Sequence, residues 1–150
     1  MKEILSSAWR RLARLFRPGK GTGLTRTQVG SRGERAAARH LEAKGYRILE
    51  RNFRVTQGEI DLVAFRDGVV AFVEVRAQTE PGMIDPVRTI TRRKQRRVIK
   101  AAQRYCVLRD VQRDGLSTRF DVVTVLLDAG GRASSVRHIE DAFQVSTRAF

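Results

Sequence analysis

The chain has 150 residues, 41% of them hydrophobic, enough for one domain with a full core. Thirty Lys and Arg against sixteen Asp and Glu leave a formal charge of +14, an excess that favours a polyanionic partner, either nucleic acid or an anionic membrane surface. A single cysteine excludes an internal disulfide and a cysteine-based zinc finger, no apolar run approaches the ~20 residues of a membrane span, and no secretory-type apolar segment opens the chain, so the expected setting is the cytoplasm.

Residues 1–17 predict a basic amphipathic helix: Ile4, Leu5, Ala8, Trp9, Leu12, Leu15 and Phe16 recur at helical spacing, and Arg10, Arg11, Arg14 and Arg17 lie mainly elsewhere on the wheel. Pro18-Gly19 stops it, and the Gly- and Thr-rich stretch 18–30 has the composition of a linker. Such a helix can lie on an anionic membrane as a peripheral tether, dock on a partner, or add phosphate contacts. Residues 1–29 thus form a basic helix and flexible linker ahead of a domain spanning 30–150.

That domain opens with a helix that Ser31 can cap, with Glu34 three residues later as capping-box partner. Ala36, Ala37, Ala38, Leu41 and Ala43 support the helix and Gly45 ends it. Residues 46–55 and 58–65 predict two strands, and Asp67-Gly68 a tight hairpin turn into a third over 69–75, apolar until Glu74. A loop with Pro81, Gly82 and Pro86 leads to a long basic helix over 86–108, with Ile90, Val98, Ala101, Ala102 and Tyr105 as its apolar positions and Cys106 as a buried thiol. Residues 119–127 and 134–139 predict two more strands, joined by a turn at Gly130-Gly131. The order α-β-β-β-α-β-β, without internal repeats, predicts an α/β fold with a mixed sheet flanked by two helices.

Chemistry concentrates on the second and third strands. Alternation puts Glu59 and Asp61 on one face of the former and Glu74 and Arg76 on one face of the latter, with Ile60, Leu62, Val73 and Val75 on the opposite faces. The Asp67-Gly68 turn sets Asp61 opposite Glu74, with Cβ atoms ~4.5–5.5 Å apart. Two carboxylates that close, among Val and Phe, are costly unless a cation offsets them. Mg2+, which takes one or two carboxylates together with water and phosphate oxygens, suits the pair. The plainer alternative is a solvated strand face or a structural pairing with Arg76 or Arg54, and Glu59 is expected as a supporting charge.

Taken in order, Gly33-Glu34, Gly45-Tyr46, Asn52, Gly58-Glu59-Ile60-Asp61-Leu62-Val63, Phe72-Val73-Glu74-Val75, Lys94, Arg119-Phe120-Asp121-Val122-Val123, His138-Ile139-Glu140 and Ala142-Phe143 resemble the YraN family of uncharacterised bacterial proteins, within the PD-(D/E)XK, restriction-endonuclease-like fold. The resemblance spans residues 30–143 and implies an α-β-β-β-α-β core. It also implies that Asp61 and Glu74 are metal-binding carboxylates for Mg2+ or Mn2+, that Glu34 is a third acidic group, and that Arg76 stands where the nuclease motif has its Lys. Arg stays protonated at any usable pH, yet it can orient water and stabilise charge on a phosphate. The implied catalytic set is therefore Glu34, Asp61, Glu74 and Arg76, acting as a divalent-metal-dependent phosphodiesterase on nucleic acid, DNA rather than RNA. The alternative, motivated by Arg76, is a binding module that kept the fold without catalysis. Related nucleases often dimerise, so a homodimer is compatible with the resemblance, although no interface is fixed by the sequence.

The run Arg92-Arg93-Lys94-Gln95-Arg96-Arg97 carries five like charges in six residues. A solvated helical face is the ordinary fate of such a run, but a polyanion relieves its self-repulsion, and these five cations are the expected nucleic-acid contacts, with Lys94 also able to point toward the carboxylates. His40 and His138 lack partners at metal-ligand spacing, Asp121 reads as structural, and Gly19, Gly21 and Gly23 lack the Lys-Ser/Thr pair of a phosphate loop.

Overall fold

The computed structural model describes residues 23–79, 90–112 and 115–144. The expected helix over 1–17, and the loop residues 80–89, lie outside them. Helix α1 spans Arg26–Ala43 and is capped by Thr25, whose hydroxyl accepts the Gln28 N–H at 3.2 Å while the Gln28 side chain accepts the Thr25 N–H at 2.9 Å. The expected start at Ser31 is therefore corrected: residues 26–30, read as linker from their composition, form the first turn. The reason is that Thr25 and Gln28 complete a capping box of their own. Glu34 falls in the third turn and has no capping duty.

Strands β1 (Arg47–Val55), β2 (Gly58–Arg66) and β3 (Val69–Gln78) form an antiparallel meander. Asp67 and Gly68 both take left-handed backbone angles, φ +51° and +78°, as the tight hairpin between β2 and β3 requires. Helix α2 (Arg92–Leu108) then crosses over to β4 (Ser117–Leu127), which pairs parallel to β3, and β5 (Ala133–Ile139) closes the sheet antiparallel to β4. The strand order is β1-β2-β3-β4-β5. This is the mixed α/β sheet with two helices expected above, and the helix–three strands–helix–strand order is compatible with the nuclease-like core. Helix α2 begins six residues later than expected, because Thr91, not the Pro86 region, supplies the cap: its hydroxyl accepts the Lys94 N–H.

Each helix covers one face of the sheet. Ala37, Ala38 and Leu41 of α1 pack on Leu62, Ala64, Ala71, Val73, Val123 and Val125. Val98, Ala101, Ala102, Tyr105 and Cys106 of α2 pack on Phe53, Ile60, Val63, Val70, Phe72 and Phe120. Ile60 and Leu62 thus belong to different layers, and the expectation that they share a face is corrected. Strict alternation fails at Asp61, opposite Asn52, whose left-handed φ of +53° breaks the pleat of β1 at the same level.

Two glycines set how closely the helices approach. A methyl group on Gly33 of α1 would overlap the Ala77 side chain of β3, and one on Gly58 of β2 would overlap the Arg97 carbonyl of α2. Gly58→Ala is accordingly expected to lower the unfolding free energy by about 1–3 kcal/mol through overpacking. Urea denaturation reads this directly; an unchanged midpoint would show that α2 can back away without cost.

Candidate functional site

The β2–β3 ladder runs from the hairpin as far as Leu62 opposite Val73. Just beyond, the Asp61 carboxylate accepts the Val75 N–H at 2.8 Å. Glu74 is the next residue on β3, and its side chain is only 1% exposed. Burial pushes the Asp61 carboxyl up from its ordinary 3.8 to about 7, the Glu74 charge adds to the rise, and the Val75 N–H and Lys94 work against it. The two carboxylates expected to face one another are therefore brought together and repel.

Glu74 is held by cations. Lys94 Nζ of α2 lies 2.8 Å from its Oε1, and Arg76 Nε lies 3.7 Å from the same oxygen. The Lys94 approach brings the charges together without good hydrogen-bond geometry, and among the described residues neither Glu74 oxygen accepts a hydrogen bond. A buried carboxylate oxygen in that state is costly unless a further partner arrives. Glu34 sits close enough for its charge to raise the Asp61 pKa further, but its Oε2 accepts the Asn52 side-chain N–H at 3.0 Å. Among the described residues no three His, Cys, Asp or Glu side chains converge into a ready metal-ligand group. What the chain offers is two carboxylates, Asp61 and Glu74, with Glu34 alongside. Glu59 pairs with Arg54 at 3.6 Å, both side chains exposed.

The basic run divides. Arg92, Arg93, Arg96 and Arg97 are exposed on α2, continued by Lys100 and Arg104, whereas Lys94 turns inward to Glu74. The outward residues present a bank of guanidinium groups on the helix that delivers Lys94 to the carboxylates.

The model of the uncharacterised protein family UPF0102 matches residues 33–125, a span containing Glu34, Asn52, Asp61, Glu74, Arg76 and Lys94. The chain belongs to the UPF0102 family. Among its relatives, a UPF0102 protein of Myxococcus xanthus is 44% identical over 118 residues, covering 79% of this chain and 90% of that protein. One from Pelotomaculum thermopropionicum is 45% identical over 120 residues, covering 79% and 97%. A third, from Chlorobaculum tepidum, is 38% identical over 124 residues, covering 80% and 95%. The similarity to these UPF0102 proteins thus runs through nearly their whole length.

On the α1 side of this UPF0102 sheet lies a second polar cluster, with a different character. Asp121 is fully buried and accepts hydrogen bonds from Arg119 Nε at 2.8 Å, Arg119 Nη2 at 2.9 Å and the Asp141 N–H at 3.0 Å, with His138 Nε2 2.8 Å away. Arg119 also donates to the Tyr46 hydroxyl at 2.7 Å, which in turn donates to Glu140 at 2.9 Å. Asp121 is held within the fold, in line with its structural reading, and His138 is one of its partners. At the first site, sequence reasoning missed what Asn52 does and anticipated the inward turn of Lys94. Asn52 was visible as a motif residue, but its left-handed backbone and its hold on Glu34 were not. The inward turn of Lys94 had a signal: it lies four residues before Val98, on the apolar stripe of α2. Among the described residues no helix is long and apolar enough to cross a membrane.

Proposed function

We propose that this protein binds nucleic acid and acts as a divalent-metal-dependent phosphodiesterase on DNA. The observation that carries the reading is the buried Glu74, with an oxygen that accepts no hydrogen bond among the described residues, beside an Asp61 carboxyl already strained by burial and by its neighbour. Mg2+ or Mn2+ suits this donor set, since such ions take one or two carboxylates and complete their shell with water and phosphate oxygens. Asp61 and Glu74 would hold the ion, with Glu34 reaching it through water. The ion would supply charge to polarise the scissile phosphate and activate a water. Arg76, fixed beside Glu74, contributes positive charge for the phosphate but cannot take a proton. The exposed arginines of α2 would bind the sugar-phosphate backbone. A nucleic-acid substrate and a lone buried thiol both suit a cytoplasmic setting.

The test is cleavage of duplex, single-stranded and branched DNA with Mg2+ or Mn2+. Cleavage is expected from the wild type and is expected to vanish in Asp61→Ala and Glu74→Ala. Cleavage that survives both substitutions removes these residues from the reaction. Arg76 in the lysine position favours a second reading, a binding module without turnover. It predicts salt-sensitive binding and no product with either metal. Under both readings, replacing Arg96 and Arg97 with Ala should weaken binding across all sequences and reduce the slope of log affinity against log salt by about 2.

A further inference from the structure

Glu74 has two oxygens in unequal surroundings. Lys94 and Arg76 both crowd Oε1, while Oε2 meets no donor among the described residues. Lys94 reaches in from α2 with its side chain 29% exposed, so its ammonium has a way out to solvent. Its exposed neighbours along the helix, Arg93 and Arg97, already form the bank read above as facing phosphate.

We propose that Lys94 is a tethered counter-ion that a divalent metal displaces, and that its release couples metal binding to the grip on a nucleic-acid phosphate. This rests on the reading of Asp61 and Glu74 as the metal-binding pair. In the metal-free protein the Lys94 ammonium lies 2.8 Å from Glu74 Oε1 and, with Arg76, offsets the cost of burying that carboxylate. A doubly charged ion shared by Glu74 and Asp61 puts two cations against one oxygen. The mobile one moves: lysine carries a compact charge on a flexible stem of four carbons, whereas Arg76 is held on a sheet strand. The freed ammonium then lies between the carboxylates and the arginine bank, where a phosphodiester oxygen is its natural partner. Metal therefore gains affinity when nucleic acid is present, and nucleic acid gains the same factor when metal is present.

The proposal is tested by calorimetry with Mn2+ and by anisotropy of a labelled DNA duplex in Ca2+ or EDTA, on wild type, Lys94→Met and Asp61→Asn. Removing the competing ammonium should tighten Mn2+ binding about tenfold in Lys94→Met, and the gain in duplex affinity that Ca2+ gives the wild type, about five- to tenfold, should shrink to under about twofold. Should Lys94→Met fail to fold, side-chain ammonium NMR of the wild type replaces it, with the signal assigned through Lys94→Arg. That signal should move as Mg2+ is added and stop moving at saturation. Mn2+ binding that is present in the wild type, lost in Asp61→Asn and no tighter in Lys94→Met overturns the role of Lys94 alone. So does a Lys94 signal that ignores saturating Mg2+. No Mn2+ heat in either wild type or Lys94→Met overturns the metal-site reading and this proposal together.

Discussion

Asp61→Asn is expected to fold more stably than the wild type at pH 8 without divalent ions, while losing metal binding and cleavage. Asparagine keeps the shape and an oxygen that can accept the Val75 N–H, so the 2.8 Å bond beyond the end of the ladder survives. What disappears is a charge the fold does not want. Burial first, and the Glu74 carboxylate second, lift the Asp61 pKa from 3.8 to about 7. In the unfolded chain the group ionises near its ordinary value, whereas in the folded protein it keeps its proton until about pH 7. Between these values the folded state binds more protons, so stability falls as pH rises through the window and stays low above it. Three units correspond to a ceiling of about 4 kcal/mol, and partial solvation reduces this to something on the order of 2 kcal/mol. Urea titrations in EDTA at pH 4 and pH 8 should show the two proteins converging at the acid end and Asp61→Asn ahead at the alkaline end. Mg2+ at pH 8 should raise the wild-type melting temperature and leave the variant unmoved, since only a state that binds the ion gains from it. If Asp61→Asn is no more stable at pH 8, the carboxylate is not under strain and the case for a functional pair weakens with it.

The part of this site that was legible in the sequence is the part set by local geometry. A two-residue turn at Asp67-Gly68 leaves one register for β2 and β3, and that register brings Asp61 level with Glu74. The layers read correctly wherever strict alternation held. They misread at Asp61, because a side chain that bonds the neighbouring strand's backbone ends the regular ladder and rotates the chain, sending Ile60 and Leu62 to different helices. The hold of Asn52 on Glu34 joins residues 18 positions apart through a left-handed turn of backbone, for which no spacing rule exists. Lys94 was legible in direction only. Its distance to Glu74 depends on how near α2 can lie to the sheet, and that depends on Gly58 meeting the Arg97 carbonyl, a tertiary contact invisible to any window along the chain. The early start of α1 was legible in principle, from Thr25 and Gln28, but the glycines and threonines around them carry a composition that points to linker.

The opposite sign is expected at Asp121. Asp121→Ala should lower stability by about 3–5 kcal/mol, the usual cost of leaving buried charged donors without their acceptor. That is a large share of the 5–15 kcal/mol that holds a domain of this size together. The loss is concentrated because Arg119, His138 and the Asp141 N–H all converge on one carboxylate, which ties β4, β5 and the turn after β5 to one another. Burial alone would raise the Asp121 pKa, but the donors from His138, Arg119 and Asp141 outweigh it and hold the carboxyl below its usual range. Stability from this group is therefore complete above about pH 4 and is lost as pH falls through the lowered folded value, so the gap between wild type and Asp121→Ala should narrow in strong acid. Asp121→Asn should fall between the two, since the amide keeps one acceptor but points N–H groups at donors. Below its own melting temperature Asp121→Ala should still bind Mn2+, because the Asp121 cluster lies on the α1 face and makes no bond to Asp61 or Glu74. The two acidic clusters are thus separable by sign: neutralising a carboxylate that the fold has satisfied costs stability, and neutralising one that it has left strained returns it. Loss of Mn2+ binding in a folded Asp121→Ala protein would mean that the two clusters are coupled through the sheet.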